Sequence, residues 1–217
     1  MQGTPITTKA SFPTTSTAAA ARAKQTGDDI WRNRTDKINA ELFALTYGSL
    51  VATLVKDYED YAEVNTQLDK MGYNIGVRLI EEFLAKSSLP KCGTFVETAD
   101  VISKIGFKMF LGITPTITNW SADTKEFSII IDENPLSEFV ELPDDALLPP
   151  PASTGGSAAT GLWYSNILCG VLRGALEMVL LQVDVFFVSD VLRHDDATEI
   201  RVRLVRILDE DVPASDE

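Results

Sequence analysis

The stretch LWYSNILCGVLRGALEMVLLQVDVFFV, residues 162–188, constrains how the rest of the chain can be arranged. Its first twenty residues are almost wholly apolar, so it is either a membrane span or a helix buried in a protein core. Arg173 and Glu177 lie near the middle, where two charges would be costly in a bilayer, and the stretch barely reaches the roughly 20 residues that a span requires. Gly170 and Gly174 suit tight helix packing in a soluble protein. We therefore predict a central buried helix.

Two predicted β-hairpins flank this helix in the sequence, one before it and one after it. In the first, residues 116–120 and 126–132 flank a turn at 121–123; the second begins near Val183 and returns at about 199–204. Apolar and polar residues alternate in these segments, which indicates a sheet with one buried and one solvated face. Hairpins without βαβ alternation predict an α+β fold, with helices packed on an antiparallel sheet.

Three helices are predicted ahead of the strands, at about 36–58, 64–86 and 94–111. Apolar residues recur at steps of three or four in the first two, which favours an antiparallel helical hairpin. Gly72 and Gly76 are four apart, and since each lowers helix propensity by about 1 kcal/mol relative to Ala, close backbone packing is expected there. The predicted stripes are Leu42, Leu45, Leu50 and Leu54 with Phe43 and Tyr47, and then Val64, Leu68, Met71, Ile75, Leu79 and Phe83.

The domain organisation follows from composition along the chain. Residues 1–35 are rich in Thr, Ala, Ser and Gln without an apolar period, so we predict a disordered tail. Residues 36–208 form a single domain, interrupted by a flexible, Pro-, Ser- and Gly-rich loop at about 144–161. An acidic tail, residues 209–217, ends the chain.

Charge and cysteine usage exclude several classes of protein. A net charge of −13 argues against a nucleic-acid binder. Two cysteines and one histidine argue against both a disulfide framework and a structural zinc site. The N-terminus lacks the pattern of a secretory signal, and we expect a cytosolic protein without a metal.

Cys92 offers the most specific chemistry in the chain. It lies in PKCGTFVE, residues 90–97, at a predicted helix entrance and beside Lys91, and both features favour the thiolate. Thr94 and Glu97 form a capping-box pattern at that entrance. The residues alone leave two interpretations open, a silent surface cysteine and an acylation site ahead of an amphipathic helix. Cys169 is interpreted as core filler.

An ordinary enzyme is disfavoured by the remaining residues. The single histidine, His194, lies in a polar turn, so no hydrolase triad can be assembled. Neither a phosphate-binding loop nor a dinucleotide fingerprint is present. Self-acylation at Cys92 is a further possibility for which the sequence offers no base.

Five motifs closely resemble the Bet-three-type small core subunits of the transport protein particle, TRAPP. The resemblance covers residues 38–208. The motifs are ELFALTYG at 41–48, QLDKMGYNIGVRLIE at 67–81, FKMFLGITP at 107–115, ITNW at 117–120 and NILCGVLRGALEM at 166–178.

The resemblance implies a helical layer on one side of a four-stranded antiparallel sheet, with an internal hydrophobic channel. It implies a non-catalytic scaffold subunit that tethers vesicles and promotes nucleotide exchange on a Rab GTPase in transport from the endoplasmic reticulum to the Golgi. Peripheral association with cis-Golgi and endoplasmic-reticulum membranes would come through the complex. Dimerisation with related TRAPP subunits, or with a second copy in isolation, would use the first two predicted helices.

The family's site residues can be transferred to this chain. The acylated cysteine maps onto Cys92, with palmitate as the expected thioester-linked group. A small residue of the channel maps onto Gly106, and we expect Ile102 and Met109 to line the channel beside it.

The resemblance also implies that the C-terminal segment contacts the GTPase. Asp209, Glu210 and Asp211 are the residues expected to do so, and the competing interpretation of this segment is a solvating tail. A standalone lipid carrier is the competing class of function for the whole protein.

Overall fold

The computed structural model describes residues 17–147 and 161–209 as a helical layer on a four-stranded sheet. The described helices and strands are, in chain order, α1 Thr17–Asn33, α2 Ala40–Tyr58, α3 Tyr61–Ser87, α4 Phe95–Val101, a π-helical turn Ile102–Gly106, α5 Phe107–Leu111, β1 Thr116–Thr118, β2 Glu126–Ile131, a 3-10 turn Asp144–Leu147, α6 Ile167–Glu177, β3 Leu181–Ser189, a 3-10 turn Val191–Arg193 and β4 Thr198–Ile207. The predicted α+β class is confirmed, with both hairpins in place.

The sheet is antiparallel throughout, with strand order β1-β2-β4-β3. β4 lies between β2 and β3, so the two hairpins join through the β2–β4 pair, in which Ile129 lies opposite Ile200. The inner face carries the alternating apolar residues, and these pack under the helices. The fully buried ones are Phe127, Ile129, Ile131, Val183, Ile200 and Val202.

The outer face of the sheet carries ion pairs, as the alternation predicted. Arg201 bridges Glu126 and Glu199 at 2.8 and 2.7 Å, and Arg203 pairs with Asp184. The helices therefore lie on the apolar face of the sheet, and the opposite face carries these ion pairs.

Helices α3 and α6 cross at four glycines, which confirms the close packing expected of them. A Cβ atom on Gly72 or Gly76 would lie less than 3.0 Å from the backbone of α6, and one on Gly170 or Gly174 equally close to the backbone of α3. Only glycine permits this approach, because any side chain would overlap a carbonyl oxygen of the other helix. The crossing seats α6 between α3 and the sheet.

The prediction of a disordered tail over residues 1–35 is wrong for residues 17–33, which form α1. The composition suggested disorder because most of this segment is polar. Ile30 nevertheless reaches into a second, smaller hydrophobic cluster with Phe83, Ile105 and Met109, where its exposed fraction is 1%. Residues 1–16 lie outside the described residues.

The long loop is also more structured at its start than predicted. Asp144–Leu147 is a 3-10 turn in which Ala146 is fully buried, and Leu162 donates a backbone hydrogen bond to the Ala146 carbonyl at 2.9 Å. Arg193 donates to the same carbonyl and to that of Leu162. The two ends of the loop are thus tied together, and residues 148–160 lie outside the described residues.

Helix boundaries differ from the predictions at three places, one of which is α3, which begins at Tyr61 rather than at 64. The first predicted helix begins at Ala40 rather than at 36. The Asn39 side chain caps it by accepting from the Leu42 N–H at 2.8 Å. The apolar stretch near the C-terminus is helical only over Ile167–Glu177. Among the described residues, no helix is long and apolar enough to cross a membrane.

Candidate functional site

The loop that carries Cys92 runs directly into α4 through a shifted capping box. Thr94 is the N-cap, and its hydroxyl accepts from the Glu97 N–H at 3.1 Å, as predicted. The Glu97 carboxylate accepts from the Gly93 N–H at 2.7 Å, one residue earlier than the usual reciprocal bond. The cap fixes the loop on the carboxyl side of Cys92.

The expectation that Cys92 is an activated thiolate is wrong. The thiol is half-buried, and burial raises its pKa above the ordinary value because the charged form loses solvation. The nearby Glu97 carboxylate raises the pKa further, whereas a hydrogen bond with Thr98 lowers it. Sequence reasoning weighed the helix entrance and Lys91 and did not foresee the burial.

The second cysteine is placed as predicted. Cys169 lies in α6 within the main core with an exposed fraction of 1%, and burial raises its pKa well above the ordinary value. Of the two thiols in the chain, Cys92 is the one that reagents can reach.

Aromatic residues anchor the start of α4 to the sheet beneath it. Phe95, the first residue of α4, lies with its ring centroid 5.2 Å from that of Phe127 on β2. Trp120 completes the group at 4.9 Å from Phe127 and 6.4 Å from Phe95. These ring contacts hold the start of α4, three residues beyond Cys92, against the sheet.

The predicted helix over 94–111 is continuous but contains a π-helical turn at Ile102–Gly106. Phe107 donates its N–H to the Ile102 carbonyl, five residues back, and the Ser103 hydroxyl donates to the Pro115 carbonyl. Such turns are rare and are found often at functional sites. Here the turn contains Ile102 and Gly106, two of the three residues assigned to the channel.

Gly106 lies beside open space. A Cβ atom built on it would meet only the Val101 carbonyl oxygen, at 3.9 Å. The glycines at the α3–α6 crossing differ, because their Cβ positions overlap backbone. Room beside Gly106 is what a neighbouring acyl chain would need.

The two other residues assigned to the channel lie in different clusters. Ile102 packs in the main core, whereas Met109 packs in the smaller cluster beneath α1. The structure brings Gly106 and Ile102 together on one turn but separates Met109 from the main core. Their lining role stays a prediction.

The remaining sequence-predicted site residues are only partly described. Asp209 is exposed just beyond β4, while Glu210 and Asp211 lie outside the described residues. His194 has a left-handed backbone conformation, with φ of 67°, after the Val191–Arg193 turn. Within residues 17–147 and 161–209, no group of three or more His, Cys, Asp or Glu side chains could hold a metal ion.

An apolar surface lies on the outer side of α2, which we call the α2 face. Leu42 and Leu45, two members of the predicted apolar stripe, are 62% and 59% exposed. The residues that α2 buries in its own domain are Ala44, Tyr47, Val51 and Leu54. The predicted stripe therefore divides between two faces of α2: Leu42, Leu45 and Leu50 face outward, whereas Tyr47 and Leu54 are buried in the core.

Sequence reasoning missed two contributors to the site. Thr98 lies one helical turn beyond Thr94, so a Thr-x-x-x-Thr spacing at a helix start was the available signal. Helix α1 was missed although Ile30 and Trp31 form an apolar pair in an otherwise polar segment.

Comparison with known proteins identifies the family. The model of the transport protein particle (TRAPP) component family matches residues 43–203. The chain is 55% identical over 203 residues to trafficking protein particle complex subunit BET3 of Saccharomyces cerevisiae, covering 93% of this chain and 99% of that protein. It is 54% identical over 191 residues to transport protein particle subunit bet3 of Schizosaccharomyces pombe, covering 88% and 97%.

A solved structure also matches closely. The crystal structure of trafficking protein particle complex subunit 3 from Naegleria fowleri, covalently bound to palmitic acid, superimposes with a TM-score of 0.72. It shares 53% identity, covering 81% of this chain and all of that one. With three quarters of the chain inside the family model and relatives above 50% identity along nearly their whole length, this chain belongs to the TRAPP component family and is a Bet3-type subunit of that trafficking complex.

Proposed function

We propose that this protein is a scaffold subunit of a vesicle-tethering complex that promotes nucleotide exchange on a Rab GTPase in transport from the endoplasmic reticulum to the Golgi. In this proposal Cys92 carries a palmitoyl group as a thioester, and the acyl chain lies in an internal channel beside Gly106. The lipid is then a structural ligand rather than a membrane anchor.

The observation that carries the acyl part is the covalent palmitate in the Naegleria fowleri relative. A thioester requires a cysteine, and Cys169 is enclosed in α6, which leaves Cys92 as the acceptor in this chain. Burial of about fifteen methylenes at about 0.8 kcal/mol each is worth on the order of 12 kcal/mol before any losses. A chain enclosed to that extent would stabilise the native state substantially.

The raised pKa of the Cys92 thiol has a kinetic consequence. The thiolate is the nucleophile, and at neutral pH it is the minor form. Acylation by palmitoyl-coenzyme A should therefore accelerate as pH rises from 7 towards 9. Glu97→Gln removes the carboxylate that raises the pKa, so its rate profile should shift to lower pH.

Intact mass spectrometry tests the acylation directly. After incubation with palmitoyl-coenzyme A, wild-type protein and Cys169→Ala should gain a palmitoyl mass that hydroxylamine removes, and Cys92→Ser should not. Absence of the increment in wild-type protein, or its persistence in Cys92→Ser, would overturn the assignment.

A pair of substitutions at Gly106 tests the channel. Gly106→Ala meets open space and should fold and accept the acyl group, with helix propensity contributing about 0.5–1 kcal/mol of stability. Gly106→Leu should fill that space and lower the acylated fraction while the protein stays folded. Equal acylation of both variants would place the chain elsewhere.

The α2 face supports the assembly part of the proposal. Isolated apolar residues are common on surfaces, but Leu42, Phe43, Leu45 and Leu50 share one helix and all are at least 36% exposed. Contiguous exposed patches of this kind mark interaction sites. We assign this face, with the exposed apolar residues of α3, to contact with another subunit of the complex or with a second copy.

Light scattering and co-purification test this surface. Leu45→Asp should abolish dimerisation and capture of other TRAPP subunits without changing the melting temperature appreciably. Val205→Asp is the matched control, because Val205 is 52% exposed but lies on β4. If both variants assemble normally, the α2 face is not the contact.

The acidic C-terminal segment is assigned to the GTPase. Asp209 projects into solvent beyond β4, and the carboxylates that follow it could compete with phosphates for basic groups and magnesium. Deletion of residues 209–217 should slow exchange by the reconstituted complex, and an unchanged rate would contradict this role. Reversible transfer of the acyl chain to vesicles, without co-purification of TRAPP subunits, would instead indicate a lipid carrier.

A further inference from the structure

Helix α1 contacts the two segments that form the candidate acyl site from outside the main core. On one side, Leu89, in the loop three residues before Cys92, packs against the cluster that contains Ile30, and Arg34, just beyond α1, donates from its guanidinium to the carbonyl of Lys86 in the last turn of α3 at 3.2 Å. On the other side, Ile30 packs with Ile105 of the π-helical turn. One helix therefore joins the loop before Cys92 to the turn that holds Gly106.

The contact with the π-helical turn is made backbone to backbone. A Cβ atom on Gly27 would lie less than 3.0 Å from the Lys104 carbonyl oxygen and 3.4 Å from the Cα atom of Ile105. Any side chain at Gly27 would consequently lift α1 from its contact with the π-helical turn, which is the seat of α1. The neighbour of Gly27 in the seat, Ala23, is also small and packs in the same cluster.

The C-terminal end of α1 is held at the end of α5. The Trp31 indole lies against Gly112, whose φ of 75° ends α5 in a left-handed conformation. The ammonium groups of Lys37 and Lys108 lie 4.8 and 5.9 Å from the indole centroid. The Lys108 ammonium group also donates to the Gly112 carbonyl at 3.0 Å. Trp31 thereby reaches the far end of the helix that begins beside Cys92.

Helix α1 buries fewer residues against the domain than the other long helices do. Among residues 18–33 of α1, the buried ones are Gly27 and Ile30, and the latter belongs to a cluster separate from the main core. Residues 34–39, which join α1 to α2, have no regular structure. Segments with few buried apolar contacts are the ones that open locally without global unfolding.

From these contacts we propose that α1 is a strap that clamps the Cys92 loop against the Gly106 helix, and that its release opens the acyl site to exchange. The inference rests on the proposed acylation of Cys92 and adds the element that regulates it. A docked strap holds Leu89 and Ile105 together and encloses the thioester. A released strap frees both, so that the thioester meets water and nucleophiles.

Gly27→Ala is the sharpest test, because the added methyl group overlaps the Lys104 carbonyl without touching Cys92 or Gly106. Gln25→Ala is the matched control, since Gln25 is exposed two residues away on the same helix. Full-length acylated proteins are treated with hydroxylamine, and palmitoyl loss is followed by intact mass. Hydrogen exchange of residues 17–33, 84–92 and 102–110 is measured in parallel, and Trp31→Ala serves as a second variant from the other end of the strap.

We expect Gly27→Ala and Trp31→Ala to release palmitate about tenfold faster than wild-type protein, with faster exchange in all three segments, and Gln25→Ala to match wild type within about twofold. Faster exchange in residues 17–33 without faster palmitate release overturns the strap. So does unchanged exchange in Gly27→Ala. If wild-type protein carries no acyl group, the proposed acylation is wrong. The strap is then tested by the rate at which maleimide labels the Cys92 thiol. A labelling rate in Gly27→Ala equal to that of wild type overturns the strap.

Discussion

Two helix contacts in this molecule depend on glycine, and they differ in what surrounds them. At the α3–α6 crossing four glycines interlock, and the neighbouring residues Leu68 and Cys169 lie in the main core. At the seat of α1 a single glycine, Gly27, meets the π-helical turn, and the cluster beside it is small and separate. The same close backbone approach therefore serves a permanent contact in one place and a detachable one in the other.

Hydrogen bonds and an ion pair join α3 to α6 and to the segment that leads into α6. Fewer polar contacts hold α1 against the π-helical turn. The Asn65 side chain of α3 donates to the Gly161 carbonyl and accepts from the Trp163 N–H, both at 2.8 Å, and Arg173 of α6 pairs with Asp69 of α3. Buried and half-buried polar bonds that are satisfied on both sides fix a single arrangement. The crossing is thus specified by backbone shape and by hydrogen bonds together.

The largest expected effect is that of Gly170→Ala. The new methyl group would overlap the Asp69 carbonyl in the core, so α3 and α6 must separate, and we expect a loss of about 3 kcal/mol or more of unfolding free energy. Chemical denaturation with near-ultraviolet circular dichroism measures it. Gly106→Ala is the control, because the same substitution there meets open space.

A Gly170→Ala variant as stable as wild type would mean that the α3–α6 crossing is no more permanent than the contact between α1 and the π-helical turn. In that case α6 would shift as easily as α1, and the crossing could not be called a permanent part of the fold.

A matched pair of cavity-forming substitutions sharpens the same comparison. Leu68 and Ile30 are 0% and 1% exposed, the former in the main core and the latter under α1. Leu68→Ala should cost about 3–4 kcal/mol of unfolding free energy, within the usual range for a rigid core site. Ile30→Ala should cost about 1–2 kcal/mol in the global transition, because α1 can detach instead of leaving a cavity. Equal losses in denaturant titrations would show that α1 unfolds with the core.

Regular patterns explain why most of the fold was predictable. Alternation in Phe127, Ile129 and Ile131 predicted the strand and its buried face, and the glycine pairs of α3 and α6 indicated close backbone packing without showing that the two helices pack on each other. Leu42 and Leu45 have a clear helical period, yet they face outward, because periodicity shows that a face is apolar without showing which chain covers it. Local patterns are reliable where one domain buries them and ambiguous at an interface.

The candidate site was less predictable because it depends on burial and on long-range contacts. Cys92 was correctly distinguished from the core cysteine Cys169, but the thiol is half-buried and its raised pKa follows from that burial, which no local signal reports. Ile30 and Trp31 are two apolar residues in a polar segment, too few for a periodic signal. Their role becomes visible only with Ile105 and Gly112, more than seventy residues later in the chain.

The smallest expected effect concerns the tip of the β3–β4 hairpin. It tests whether this tip stays closed like the α3–α6 crossing or opens locally as we propose for α1. Asp190 is fully buried there, and its Oδ1 accepts from the Leu192 N–H and the Thr198 hydroxyl. Its Oδ2 has no partner among the described residues. Burial raises the pKa of this carboxyl, partly opposed by those two bonds and by Arg193, and Asp195 raises it further.

A raised pKa in the folded state means that protonated Asp190 stabilises the fold. This contribution is complete below the unfolded value of about 3.9 and is lost as pH rises through the folded value. Asp190→Asn removes the titration, so its unfolding free energy relative to wild type should increase between pH 4 and pH 7. Denaturant titrations at both pH values measure the difference, with Asp196→Asn as an exposed control for the change in charge. A difference that is constant with pH would mean that the tip opens to water, and the hairpin end would then resemble the detachable α1 rather than the α3–α6 crossing.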